Sequence, residues 1–430
     1  MTTELACFTQ WVAKEPQRRY TALMGMLASP RGLAESFARQ DPRKAAGVDG
    51  IRKAIYEQGL EGKLTDLSAR LRRMGYQPKP ARRVYIPKAN GGRRPLGIAS
   101  FEDRIVQDRL SRILQAIWEP EFRDCSYGFR PGRSAHHALA RLKQVITVER
   151  TQWLVEVDVR NFFGSVSHEH MQRFVAHRIG DKNLLRLIQR FLKAGILEDG
   201  AFSATDEGTP QGNLVSPVLS NIYLHYTLDV WFERRFARQC QGKAFLVRYC
   251  DDFVACFEFE TDARTFEQQL KERLSQFKLE VEPTKSALYR FGTLAPLLCK
   301  RDGLKRPATF SFLGILHYLR LRRSGVTTLG HKTQGSRMRK KLTALGERLR
   351  SMLSQGTVRI RQFVTRHVRG HLQYYGISGN THSLRCYVFQ VRRLLFKWLN
   401  RRSQRRSFNW ARFDAWCSAW MPRPRIVHTL

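Results

Sequence analysis

The stretch "AFLVRYCDDFVACFEF", Ala244 to Phe259, sets two adjacent aspartates, Asp251 and Asp252, between apolar runs that read as buried strands. Neighbouring like charges repel, and holding them against a buried sheet is unfavourable unless something positive lies beside them. Three answers are open. The pair is a solvated hairpin turn, where Asp is common; or it is an acid–base pair sharing one proton; or it binds a divalent cation. Mg²⁺ takes hard oxygen ligands and is bound through one or two carboxylates together with substrate phosphates. Asp158, in the Val-rich stretch "WLVEVDVRNFF", is a third carboxylate in a similar setting. Three carboxylates on neighbouring strands could hold two metal ions roughly 4 Å apart, the arrangement that serves an in-line displacement at phosphorus.

The elements that must position these residues follow from periodicity. Val155, Val157 and Val159 alternate with Glu156 and Asp158, which predicts a strand over Trp153–Phe163 with the acids on one face. "RRVYIPKANGGRRPLGI" predicts a β-hairpin: Val84 and Ile86 lead in, Asn90-Gly91-Gly92 turns, and Leu96 and Ile98 lead out. This hairpin carries Arg82, Arg83, Lys88, Arg93 and Arg94. Helices are expected over Glu61–Met74, over Glu102–Trp118, after a Ser167 cap, after an Asp181 cap in "DKNLLRLIQRFL", and from about Pro217 beyond a Gly/Pro loop. The first 60 residues read as helices broken at Pro16, Pro30 and Pro42. Strand, helices, strand-turn-strand, helix and strand in that order make an α+β pattern.

The charge names the class of partner. Seventy-five Lys and Arg stand against 37 Asp and Glu in 430 residues, a net charge of +38. Between His331 and Leu430 there are 22 Lys and Arg against only Glu347 and Asp414. Such a chain binds polyanions, and the aromatics interleaved with the charge (Phe363, Tyr374, Tyr375, Trp398, Trp410, Trp416) point to a folded nucleic-acid-binding domain rather than a disordered arm. A sizeable core is available, with 42% hydrophobic residues, and no apolar run reaches the length of a membrane span. Without a secretion signal, and with eight cysteines that form no C-x-x-C pair, a cytoplasmic protein with reduced thiols is expected. His168 and His170 read as part of a capped helix rather than as metal ligands.

"YCDD" (Tyr249–Asp252) resembles the Y-x-D-D core of reverse transcriptases, and the other blocks of that family follow in order. "RRVYIPKANGGRRPLGIASFEDRIVQ" and "YGFRPGRSAHHAL" are similar to its two fingers blocks. "EVDVRNFFGSVSHEHM" is similar to the block of the first catalytic aspartate, and "GTPQGNLVSPVLSNIYLHYTLD" to the fourth. "LEVEPTKS" and "FSFLGI" are similar to the sixth and seventh. "AAGVDGI" and the basic region ending "WMPRPRIVH" resemble group II intron-encoded proteins, of the type lacking an endonuclease. Two positions depart from the family: Cys250 stands where Ala is common, and Gly164 where Asp is common.

The resemblance implies a right-hand polymerase: an N-terminal helical extension over 1–60, fingers and palm with an antiparallel palm sheet over 61–325, and an α-helical thumb or maturase domain over 326–430. It implies copying of RNA into DNA with two Mg²⁺ ions (Mn²⁺ as a substitute), an RNA template, a DNA or RNA primer and dNTPs. It further implies binding and splicing of a group II intron RNA and support of retrohoming, with a homodimer left open. A free-standing enzyme of repair or phage defence, and a splicing-only RNA-binding maturase, are the alternatives. Carried over residue by residue, Asp158, Asp251 and Asp252 are the catalytic metal ligands. Lys88 and Arg94 grip the triphosphate, with Arg93 the neighbouring choice. Phe163 excludes a 2′-hydroxyl, Gln211 lies along the incoming nucleotide, and Lys285 sits on the triphosphate side. Arg130 meets template or serves the fingers structurally. Lys332, Arg337, Arg339, Lys340 and Lys341 lead the basic cluster that holds the duplex.

Overall fold

A computed structural model of the chain describes residues 3–15, 18–87, 92–149, 151–198, 200–209, 212–321, 324–402 and 408–430. The chain divides into two compact units, one comprising Met1–Ala138, Val155–Ala255 and Glu260–Leu288, the other Leu139–Leu154, Cys256–Phe259 and Tyr289–Leu430. Helices and sheets are mixed throughout, as an α+β fold requires. All eight cysteines are unpaired.

In the first unit, β1 (Ala81–Pro87) and β2 (Arg93–Ile98) form the expected antiparallel hairpin, with Val84 opposite Leu96 and Ile86 opposite Arg94. Asn90 and Gly91 of its predicted turn lie outside the described residues. Along the chain follow β3 (Trp153–Asp158), β4 (Ile196–Glu198), β5 (Ala201–Ser203), β6 (Ala244–Tyr249), β7 (Asp252–Phe257) and β8 (Ala287–Arg290). One sheet has the order β2-β1-β4-β5 and the other β6-β7-β3-β8. The second places β3, which ends at Asp158, beside β7, which begins at Asp252.

β3 is shorter than its valine content suggested. It stops at Asp158, and Asn161 turns the chain in the left-handed conformation (φ 42°) into a helical turn over Phe162–Ser165. The predicted alternation holds: Val155, Val157 and Val159 are buried, while Glu156 and Asp158 are half-exposed.

The helices obey their caps. Ser100 Oγ accepts from the Asp103 N–H at the start of Phe101–Trp118, whose first turn also carries Glu102 against the helix dipole. Ser167 and Asp181 cap His168–Ala176 and Lys182–Leu192 as expected. Asp181 does more: its other oxygen accepts from the N–H groups of Leu23 and Met24 at 2.9 and 2.8 Å. The helix that begins at Ser216 runs to Gln239 and contains two π-helical turns, His225–Asp229 and Phe232–Phe236.

In the second unit, β9 (Phe310–Phe312), β10 (Ile315–Leu321) and β11 (Thr327–Thr333) form a sheet of order β11-β10-β9. Lys332 lies on β11, so the basic helical region opens slightly later than read, with helix Gly335–Ser351. Helices Gly356–Tyr375, Thr381–Leu399 and Trp410–Ser418 follow. Ile360, Val364, Val368 and Leu372 on one helix, and Leu384, Val388, Val391 and Leu395 on the next, recur at three- and four-residue spacing and are buried. Asn380 is buried with both ends of its amide used: Oδ1 accepts from the Thr333 N–H, and Nδ2 donates to Thr333 Oγ1 and the Tyr375 carbonyl.

Candidate active site

The two residues between β6 and β7, Cys250 and Asp251, make the tightest connection antiparallel strands allow. Cys250 takes φ 61°, a left-handed conformation that costs a residue bearing a Cβ roughly 1–2 kcal/mol. Strain of this kind persists only where neighbouring groups hold it in place. Here the holding group is Arg248, whose side chain is wholly buried. Its Nη1 donates to the Cys250 carbonyl at 2.9 Å and to Asn221 Oδ1 at 3.1 Å, and its Nη2 to Ser126 Oγ at 2.8 Å. Nε and Nη2 together clasp the Asp229 carboxylate. Burial works against the guanidinium charge, and Asp229 outweighs it, keeping the group above its ordinary value.

The loop of "YGFRPGRS" closes over the same turn. Tyr127 donates its N–H to the Arg248 carbonyl, and Arg248 its N–H to that of Cys125. Asn221 Nδ2 donates to the Gly128 carbonyl at 2.7 Å. A Cβ on Gly128 would stand 2.5 Å from the Cys250 nitrogen, so only glycine allows this approach. The next residue, Phe129, is half exposed at φ 56°, with its ring centroid 6.4 Å from that of Tyr249.

Asp158 is fixed by its backbone: its N–H donates to Ser286 Oγ at 3.2 Å and its carbonyl accepts from the Glu282 N–H at 2.8 Å. Its carboxylate is paired with the ammonium of Lys285, on the short helical turn Pro283–Lys285. Burial pushes the Asp251 carboxyl up. Hydrogen bonds from its own backbone and from Cys250 oppose the rise, the Asp158 charge adds to it, and Arg94 counters it. Asp158, Asp251 and Arg94 therefore feel one another, and Lys285 is bound to the first of them.

Among the described residues, no three His, Cys, Asp or Glu side chains stand at metal-holding spacing. The structure thus brings Asp158 and Asp251 to one place and does not gather Asp252 with them as a third ligand. Asp252 is the first residue of β7, and consecutive residues entering a strand point to opposite faces. The pair still fits a hard divalent ion. Both donors are carboxylate oxygens, and like charge on Asp158 raises Asp251, an excess that a cation relieves.

A second part of the site lies beside Phe163. Phe162 is buried, whereas Phe163 is half-exposed and lines a cavity of about 260 Å³ with Arg83, Pro95, Asn161, Gly208 and Thr209. The Thr209 N–H donates to the Phe163 carbonyl at 2.7 Å, which ties the Gly/Pro loop to this wall. Gln211 of that loop and Lys88 of the hairpin lie outside the described residues. Of the two hairpin arginines, Arg94 is the one whose charge reaches Asp251, and strand alternation puts Arg93 on the other face.

Arg130 is an internal brace. Only 7% exposed, it grips Glu119 through Nε and Nη2 and the carbonyls of Arg123 and Ser126 through Nη1. Arg337, Arg339 and Lys340 are exposed on helix Gly335–Ser351; Lys341 is half-buried with its ammonium 5.8 Å from the Tyr387 ring centroid. The residues that hold the turn, Arg248, Asp229, Asn221, Ser126 and Gly128, are absent from the sequence reading. The signal was a single arginine inside "AFLVRYC" and a single aspartate inside "LHYTLDVWF". Each is a charge in an apolar run, which must find a partner.

Carboxylates at strand ends with cations beside them, on an α+β scaffold, have the chemistry of a metal-assisted phosphoryl-transfer site. The family model for reverse transcriptase (RNA-dependent DNA polymerase) matches residues 86–332, and the chain belongs to that family. It is 40% identical over 240 residues to protein YkfC of Escherichia coli K12, covering 54% of this chain and 62% of YkfC. It is 38% identical over 207 residues to the group II intron-encoded protein LtrA of Lactococcus lactis subsp. cremoris, covering 48% of this chain and 34% of LtrA. It is 42% identical over 154 residues to a 91 kDa protein in the cob intron of Schizosaccharomyces pombe, covering 36% and 19% of the two. The matched part is thus less than two thirds of the length of each of these relatives. Among the described residues no helix is long and apolar enough to cross a membrane.

Proposed function

We propose that the protein is an RNA-directed DNA polymerase of the group II intron-encoded kind, with a right-hand arrangement of fingers, palm and thumb. The observation that carries this reading is the meeting of Asp158, Asp251 and Arg94 at the hairpin tip of a chain belonging to the reverse transcriptase family. Asp158 and Asp251 would hold Mg²⁺, with Asp252 beside them. The bound ion would supply a Lewis acid for the 3′-hydroxyl and the leaving pyrophosphate. Arg94 offers a fork to the triphosphate, and Lys88 a point charge. Lys285 keeps Asp158 neutralised and presents a cation on the same side. Phe163 walls the sugar end and Gln211 lies along the nucleotide. The basic helices from Gly335 onward would grip the template–primer duplex through phosphates and 2′-hydroxyls. Intron RNA is the further partner, and splicing assistance and retrohoming the further roles, that the relatives' names support.

The test is template–primer extension with Mg²⁺ and dNTPs by the Asp251→Asn variant. Charge, not shape, retains the cation, so extension should fall by roughly a hundredfold or more while RNA binding persists. Extension within a few-fold of wild type would remove Asp251 from the metal site.

A further inference from the structure

A cavity of about 530 Å³ opens in the second unit between the end of helix Gly356–Tyr375 and the last residues of the chain. Arg369, Arg423 and Arg425 rim it, Leu372 and Val427 form apolar lining, and Trp420 contributes an indole. The three arginines are exposed, and among the described residues none has an acidic partner. The Arg361 guanidinium adds a fourth cation, 5.8 Å from the Trp420 ring centroid. The indole Nε1 is buried and has no hydrogen-bond partner among the described residues.

The cavity is built rather than draped. Gly376 accepts from the N–H groups of Val427 and His428 at 2.6 and 2.9 Å, and the His428 carbonyl accepts from the Ser378 N–H at 3.2 Å. The His428 ring bonds the Gln373 carbonyl at 2.9 Å. A Cβ on Gly376 would stand 2.3 Å from the Leu372 carbonyl oxygen and 3.1 Å from that of Arg425, so the tail comes closer here than any side chain would permit.

Unpaired guanidinium groups around an apolar floor, with an aromatic wall and an unused N–H donor, suit a ligand that is anionic at its edges and flat and polar-rimmed at its centre. A nucleotide is such a ligand: arginine forks match phosphate oxygens, and a base stacks on an aromatic ring whatever its identity. The volume is in the range of pockets that enclose a small molecule. We propose that this pocket receives one unstacked nucleotide of single-stranded RNA, its base against Trp420 and its flanking phosphates on Arg369, Arg423 and Arg425. RNA is chosen because the DNA such an enzyme makes is paired as it forms, while RNA ahead of the site and in loops keeps bases free. From the proposed function the inference takes only that the partner is RNA.

The experiment measures binding of an unstructured RNA oligonucleotide to the full chain across a salt series, without dNTPs. Arg423→Gln with Arg425→Gln should flatten the slope of log K against log salt by about 1.4, at ~0.7 per lost phosphate contact on a single strand. Trp420→Leu should weaken binding about tenfold or more at every salt concentration and leave the slope unchanged, with Trp420→Phe restoring most of the loss. Circular dichroism checks folding; if Trp420→Leu does not fold, Trp420→Phe and the arginine pair carry the result. Wild-type affinity and slope in all folded variants would overturn the proposal. An equal loss on a blunt duplex would make these residues general backbone contacts, and an equal loss on the DNA oligonucleotide would overturn the choice of RNA. Wild-type primer extension is run in parallel: its failure would count against the polymerase reading and leave this one standing.

Discussion

Arg248 and Asp229 form a two-point ion pair, Nε to Oδ1 at 2.7 Å and Nη2 to Oδ2 at 2.5 Å, with neither side chain exposed to solvent. The pair sits behind the turn that carries Asp251, and the remaining donors of Arg248 hold that turn in its left-handed form. Removing Arg248 alone, as Arg248→Met, leaves a buried carboxylate unpaired and should cost about 3–5 kcal/mol. Replacing both members, Arg248→Met with Asp229→Leu, should recover most of the lost Tm, since apolar pairs of similar volume substitute well for buried ion pairs. Extension should stay low in the double variant, because the Cys250 carbonyl and Ser126 Oγ have still lost their donor. Thermal melts and extension assays on the same preparations separate the two effects; full activity in the double variant would show that the turn holds itself.

Phe163 lines the cavity beside the Thr209 loop, whereas its neighbour Phe162 is core. Phe163→Ala should therefore admit ribonucleotides without unfolding the protein. The ratio of dNTP to rNTP incorporation efficiency should drop by about tenfold, the scale of discrimination that steric fit at one group supplies. An unchanged ratio, or a large fall in Tm, would place Phe163 with the core.

Helix Gly335–Ser351 divides its cations by environment. Arg337 lies against Gly314, where an added Cβ would come within 2.7 Å of its Nη1, and burial lowers the Lys341 ammonium from its ordinary value. Arg339 and Lys340 are exposed with no such contacts. Arg339→Ala with Lys340→Ala should flatten the salt dependence of duplex binding by about 1.5 and shorten cDNA made in a single encounter. Arg337→Ala with Lys341→Ala should act more on Tm than on that slope. The reverse pattern would mean that the inward pair makes the phosphate contacts.

Asp103 offers a pH test of the scaffold. It accepts from the Tyr76 and Ser100 hydroxyls and from the Lys79 N–H, yet burial pushes its carboxyl from 3.8 up to about 6. The folded form thus holds this proton more tightly than the unfolded chain. The stability it contributes is full below about pH 4 and is lost as pH rises through about 6, up to about 3 kcal/mol in all. Asp103→Asn has no such proton. Although the variant is less stable in acid, the difference in Tm should move in its favour across this window. A constant difference between pH 4 and pH 7 would show that Asp103 titrates like an exposed carboxylate.

What could be read from the residues was whatever repeats locally. The two-residue period around Asp158 showed which face was buried, and the Ser167 and Asp181 caps marked helix starts, because both signals lie within a few residues. The end of β3 was misplaced because valines favour strand whether or not the chain turns, and only Asn161 marked the turn. Arg130 sits in a motif that reads as surface, and nothing local says that Glu119 and two carbonyls occupy its donors. The number of converging carboxylates depends on how two strand ends and Lys285 sit in space. Residues 126, 221, 229 and 248 meet only through the fold, so the bracing of the catalytic turn had no local signature beyond stray charges in apolar runs.

The π-helical turn His225–Asp229 bears on which kinds of mutation this region can survive. Such a turn houses one residue more than α-helical geometry would over the same length. Deleting a single residue between Asn221 and Asp229 would let the helix relax to α and rotate everything beyond it by about 100°, one residue's worth of helical turn. Asn221 would still face Arg248 and the Gly128 carbonyl, but Asp229 would swing to another side of the helix. Arg248 would lose its counter-ion while keeping its other partners. Point changes among residues 222–228 can be absorbed by repacking, while changes of length cannot. Over these positions the chain can drift in spelling but not in count.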